Sequence, residues 1–171
     1  MPPSPTSLSF GLPSLRVALF TALLFLGLWG GAWSGTAAAD PMRKSGALVH
    51  VPAYSHIYQG ARNKPFLLTV ILTVRNVDPV RSMTLESIQY YDGDGKHLEA
   101  FDVKQRTLAP LATLEVVIDE SDKRGGAGAG FLVRWKADPP AAPPLVETVM
   151  VSTSGGQGIS FVCRGEEVPG D

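Results

Sequence analysis

"ESDKRGGAGAGFLVRW" (residues 120–135) supports two readings that lead to different folds. As a phosphate loop, its glycines cradle an anion at the start of a helix inside an α/β domain. That reading needs Lys-Ser or Lys-Thr after the last glycine, or the spacing G-x-G-x-x-G, and then a helix whose first amides hold the anion. None of these is present. "FLVRW" instead alternates: Phe131, Val133 and Trp135 point one way, Leu132 and Arg134 the other, which is the period of a β-strand. Nucleotide binding is rejected, and the glycines read as backbone freedom for a sharp entry into the strand that carries Trp135. A weaker anion surface survives as a nest of backbone amides beside Lys123 and Arg124.

The same period recurs outward from this stretch, between turns rich in Gly, Pro and Asp. "ALVHVPAY" (47–54) reads as an edge strand, because Pro52 cannot donate to a ladder. In "FLLTVILTVRN" (66–76), Leu68, Val70, Leu72 and Val74 share one face, with Thr69, Thr73 and Arg75 on the other. Ile71 breaks that polar face and implies that something partly covers it. In "MTLESIQYYD" (83–92) the apolar phase changes between Leu85 and Ile88, the mark of a bulge. "DGDG" (92–95) supplies a hairpin turn into "KHLEAFDV" (96–103), and "LAPLATLEVVID" (108–119) adds a turn and a strand. "DPPAAPP" (138–144) reads as a stiff polyproline-like connection, followed by "LVETVMV" (145–151) and "GISFVCR" (158–164). No window sustains a helical repeat. The expectation is an all-β chain, an antiparallel β-sandwich of immunoglobulin or fibronectin kind with about seven to eight strands and Trp135 as core anchor.

The whole chain has 171 residues, 44% hydrophobic and 18% charged, a composition that folds. Its net charge of −1 offers no footprint for nucleic acid or an anionic membrane surface. "VALFTALLFLGLWGGAW" (17–33) follows Arg16 and leads into "SGTAAA", where Ala37 and Ala39 fit the small-x-small pattern of a signal peptidase site. The expected organisation is a signal peptide over 1–39, a flexible lead-in over 40–46, a sandwich over 47–165 and a disordered tail over 166–171. Cleavage after Ala39 leaves a periplasmic or secreted protein with no membrane insertion; the alternative is an uncleaved helical anchor. Cys163 is the only cysteine, so no intramolecular disulfide staples the domain.

Chemistry-bearing residues are sparse. "TSGGQGIS" (153–160) repeats the device of a glycine loop feeding a strand, and two such loops at one end of a sandwich make a binding surface. That surface joins Gly125, Gly126, Gly128 and Gly130 with Tyr54, His56, Ser154 and Gln157. The alternative is a metal-binding protein or metal-dependent enzyme using His56 with His50 or His97, although no pair has local zinc spacing. "YYDGDGKH" (90–97) fails as a calcium loop at Lys96 and His97, and reads as a turn in which Asp92 and Asp94 cap their own backbone. No G-x-S-x-G elbow occurs, and Cys163 keeps phase with Ile159 and Phe161 as an inert core thiol. Glu86, Glu115 and Glu147 read as solvated charge. The expected function is therefore non-catalytic binding of an envelope protein or a small ligand, without a cofactor.

Together "VPAYSHIYQG", "LTVRNVDP", "YYDGDGK", "ESDKRGGAGAGFLVRW" and "GQGISFVCRG" resemble the exported bacterial family called domain of unknown function 3124, over about Leu48 to Gly165. The resemblance implies no catalytic roles. It implies a Ser and an Asn in the glycine loop where this chain has Ala127 and Ala129, which lowers the loop's polarity here. More loosely, "VRNVDP", "IQYYDGDGK" and "LAPLATLEVVID" are similar to the FxLYD-like and LEA-like sandwich modules of secreted and desiccation-related proteins, a likeness of fold alone.

Overall fold

The computed structural model describes residues 42–59, 63–153, 156 and 158–170. The leader, Ser154 and Gln157 lie outside the described residues. The described residues form twelve strands: β1 (Lys44–Ala53), β2 (His56–Gln59), β3 (Lys64–Leu67), β4 (Thr69–Arg75), β5 (Met83–Tyr91), β6 (His97–Phe101), β7 (Thr107–Leu108), β8 (Thr113–Ile118), β9 (Ala129–Ala141), β10 (Leu145–Ser152), β11 (Ile159–Arg164) and β12 (Glu166–Val168). A six-stranded sheet runs β12-β1-β9-β5-β6, with β7 on β5, and a four-stranded sheet runs β11-β10-β4-β8. All pairings are antiparallel, and β2 and β3 form a separate hairpin.

The two sheets share one core, which makes the chain a β-sandwich. Val49 and Val51 of β1, Leu85, Ile88 and Tyr90 of β5, and Phe131, Val133 and Trp135 of β9 meet Val70, Leu72, Val74, Val146 and Met150 from the other sheet. Trp135 is 1% exposed and anchors the core as its phase predicts. Thr148 of β10 donates from Oγ1 to the Pro52 carbonyl of β1 at 2.6 Å, a polar tie between the layers. The bulge expected between Leu85 and Ile88 is present as a register shift between Leu85 and Ser87 against β9. One extra residue, Glu86, returns Ile88 and Tyr90 to the core face.

Several boundaries differ from the sequence reading. β1 is an inner strand of its sheet: β12 pairs with it only over Leu48–His50, so Pro52 sits where that side is open. Lys44 to Gly46 belong to β1 and not to a flexible lead-in, because Lys44 pairs with Ala141 and Gly46 with Lys136. "DPPAAPP" is no separate connector. β9 runs through Pro139 and Pro140, beyond the last β5 pairing at Thr84 and Lys136 and inside the bulge of the β1 ladder between Lys136 and Ala141, so neither ladder needs their missing N–H groups. The tail is likewise ordered at its start, since Glu166–Val168 closes the sheet edge as β12. These segments carry too few residues for an alternation to show.

A buried polar plug closes one end of the sandwich and leaves no local signal in the sequence. Asn76 donates from Nδ2 to the carbonyls of Arg81, Leu108 and Ala109, and its Oδ1 accepts from the Asp78 amide. Asp78 in turn accepts from the amides of Val80, Arg81 and Ala142, with the Arg43 guanidinium 3.8 Å away. Both side chains are essentially buried. They tie three loops at one end of the sandwich through atoms that no local pattern brings together.

Candidate functional site

The glycine loop lies against a buried hydroxyl pair. Ser55 Oγ and the Tyr90 hydroxyl are 3.1 Å apart and share a hydrogen bond. A β-carbon on Gly125 would stand 1.9 Å from that Tyr90 oxygen and 2.8 Å from Ser55 Oγ. Gly126 has φ +71°, and its carbonyl accepts from the Ser55 amide at 2.9 Å. Gly128 comes against Gly93 of the hairpin turn, and the His50 ring lies over Gly130. Gly125, Gly128 and Gly130 are therefore placed by the fold's own contacts, and Gly126 by its left-handed backbone. Burial pushes the Tyr90 hydroxyl above the ordinary tyrosine pKa, so it stays neutral.

Charge fixes the rest of the loop. Arg124 donates to both Asp122 oxygens and to Glu99 Oε2 of β6, which holds Asp122 below and Arg124 above their usual values. Lys123 beside it has no ion pair among the described residues. It lines a cavity of about 280 Å³ together with His56, Tyr58, Pro65 and Leu67. The His56 and Tyr58 rings meet edge-on, centroids 5.1 Å apart, and Tyr58 is largely exposed. Nδ1 of His56 is buried with no hydrogen-bond partner among the described residues.

Of the residues expected at the site, the structure brings His56 to the glycine loop through Lys123. It turns Tyr54 away, onto Phe161 of β11 at 5.9 Å between centroids. Ser152, the last residue of β10, donates from Oγ to Glu120 at 3.3 Å, at the start of the first glycine-rich stretch. His50, His56 and His97 sit on three different strands, and among the described residues no three His, Cys, Asp or Glu side chains converge for a metal. His97 packs on Tyr91, and Asp92 accepts from the amides of Asp94 and Lys96 as a turn residue does. Tyr58, Pro65, Leu67 and Lys123 were not legible as a group, because a hairpin and a distant loop have to meet before they do.

The model of the family described as protein of unknown function (DUF3124) matches residues 46–168. The chain belongs to that family. No curated protein and no solved structure matches it. The match begins within β1 and ends at the last residue of β12, so the DUF3124 unit takes in both sheets, the short closing strand included. A second and larger groove of this DUF3124 chain, about 800 Å³, lies on the six-stranded sheet around Arg134. Its lysines are engaged, Lys44 with Glu167 and Lys136 with Glu86.

Proposed function

We propose that this DUF3124 chain is an exported, non-catalytic binding module of the cell envelope, and that the cavity between Lys123 and the β2–β3 hairpin takes a small organic carboxylate. The observation that carries the reading is Lys123, a cation with no ion pair among the described residues, which lines a cavity with His56, Tyr58, Pro65 and Leu67. A carboxylate pairs with the Lys123 ammonium, while Pro65, Leu67 and the Tyr58 ring receive the ligand's apolar part. A cavity of this size stands at the small end of ligand sites. Export is supported by the apolar leader and its Ala37 and Ala39.

Titrating isotope-labelled protein with acetate, butyrate and benzoate tests the site by nuclear magnetic resonance. Shifts centred on His56 and Tyr58 are expected, strongest with benzoate and lost in Lys123→Glu. A titration that moves no signal there overturns the site. Mass spectrometry of the chain recovered from envelope fractions tests export, with a mature chain beginning at Asp40 expected. An intact chain found only in the cytoplasm overturns it.

A further inference from the structure

Ile71 interrupts the polar outer face of β4, and the register shows what it belongs to. It pairs with Val117 of β8 on one side and Val149 of β10 on the other, and Val149 pairs with Val162 of β11. These four make one apolar row across the whole outer face of the four-stranded sheet, with Val117 59% and Val162 55% exposed at its ends. The adjacent row reads Glu115, Thr73, Glu147, Arg164. Arg164 donates from Nε to Glu147 Oε1 at 3.1 Å, yet its side chain is 79% exposed and its terminal nitrogens have no partner among the described residues. Glu115, at the opposite end of the row, is exposed and makes no ion pair among the described residues.

We propose that this face joins two copies of the chain, about a two-fold axis that lies in the interface, parallel to the strands and between β4 and β10. Such an axis exchanges β8 with β11 and β4 with β10, and keeps every residue in its row. Val117 then faces Val162 of the second copy, Ile71 faces Val149, and Glu115 faces the unengaged end of Arg164, each contact made twice. Charge selects this axis over the other face-to-face arrangement. A two-fold along the apolar row sets Glu147 over Val151 and Arg164 over Ser160, which desolvates charges without pairing them. Four strands of about six residues cover roughly 20 Å by 20 Å. That is the low end for a specific interface, so the dimer is reversible and in the micromolar range.

Sedimentation velocity of the mature protein as cells produce it, from about 1 to 500 μM, is the test. A monomer–dimer equilibrium is expected, abolished by Val149→Lys. Glu115→Arg and Arg164→Glu should each weaken self-association about tenfold or more, since each sets like charges across the axis. Mixing those two variants should restore dimers, because both cross-axis pairs in the mixed species are again opposite in sign. All three side chains sit on the outer face, so unchanged circular dichroism and melting confirm folded variants. A monomer over the whole range, a dimer indifferent to Val149→Lys, or a mixture that stays monomeric overturns the proposal.

Discussion

The Tyr90 hydroxyl occupies the space that a side chain on residue 125 would need, 1.9 Å from the β-carbon position of Gly125. The glycine run is thus spent on closing the chain over the Ser55–Tyr90 pair, before any ligand is considered. Gly125→Ala is expected to destabilise the fold by about 2–4 kcal/mol, the scale of an overpacked buried site. Tyr90→Phe alone should cost about 1 kcal/mol for the lost hydrogen bond. The double variant should cost clearly less than the sum, because the phenylalanine removes the clashing oxygen. Urea unfolding of the four proteins measures the coupling, and strict additivity would contradict the geometry.

Gly126 is set by backbone shape and not by space, since nothing lies within 4 Å of its β-carbon position while its φ is +71°. Gly126→Ala should therefore cost about 1 kcal/mol, from left-handed backbone alone. Replacement by Asn, which tolerates that region, should be milder. Thermal melting of the two variants separates them: Asn above Ala is the expected order.

Glu86 is the extra residue of the β5 bulge, and its phase signal was visible in the alternation itself. Deleting it pushes Ile88 and Tyr90 to the outer face, or forces the bulge elsewhere. Loss of cooperative unfolding is the expected result, whereas Glu86→Gln should remove only the exposed pair with Lys136 and leave stability within about 0.5 kcal/mol. Denaturation monitored by Trp fluorescence and by far-ultraviolet dichroism checks both variants.

What was legible in this chain is whatever depends on neighbours along the strand. The face of Trp135, the break at Ile71, the bulge at Glu86 and the Asp92 turn all follow from the spacing of residues a few positions apart. Pro139, Pro140 and Glu166–Val168 misled because a strand end is defined by its partner, and here the partners lie far away in sequence. The site divides in the same way. His56 stood out as a titratable residue between tyrosines, but its buried nitrogen and its approach to Lys123 exist only once the hairpin meets the glycine loop. The glycines signalled correctly that backbone comes close there, and what it approaches is Tyr90.

Asp78 links stability to pH. Its carboxyl is held below the ordinary 3.8, first by the amides of Val80 and Ala142 and then by the nearby Arg43, against the opposing effect of burial. A pKa lowered on folding means that the native state favours the carboxylate. The contribution is complete above the unfolded value near 3.8 and is lost as pH falls through the lower folded value. Asp78→Asn should be less stable than the parent at pH 7, and the gap should narrow from about pH 4 downward. Melting curves across acid pH test this; a gap that is constant or widens in acid contradicts it.

Cys163 turns the edge of the four-stranded sheet into something measurable. It is the only cysteine in the chain, and it pairs with Thr148 on the inner face of β11, an edge strand. Burial raises its thiol above the usual 9.0, against a smaller opposing effect from a hydrogen bond with Thr148. Attack on a disulfide reagent needs the thiolate, so the native protein should react more slowly than a free cysteine at pH 8. The native rate should still be climbing at pH 10, where a free thiol approaches its plateau. Removing the apolar cover with Phe161→Ala should speed labelling about tenfold or more, by loosening β11 while the rest of the core holds. A native rate equal to that of the urea-unfolded chain would show instead that β11 does not shield the thiol.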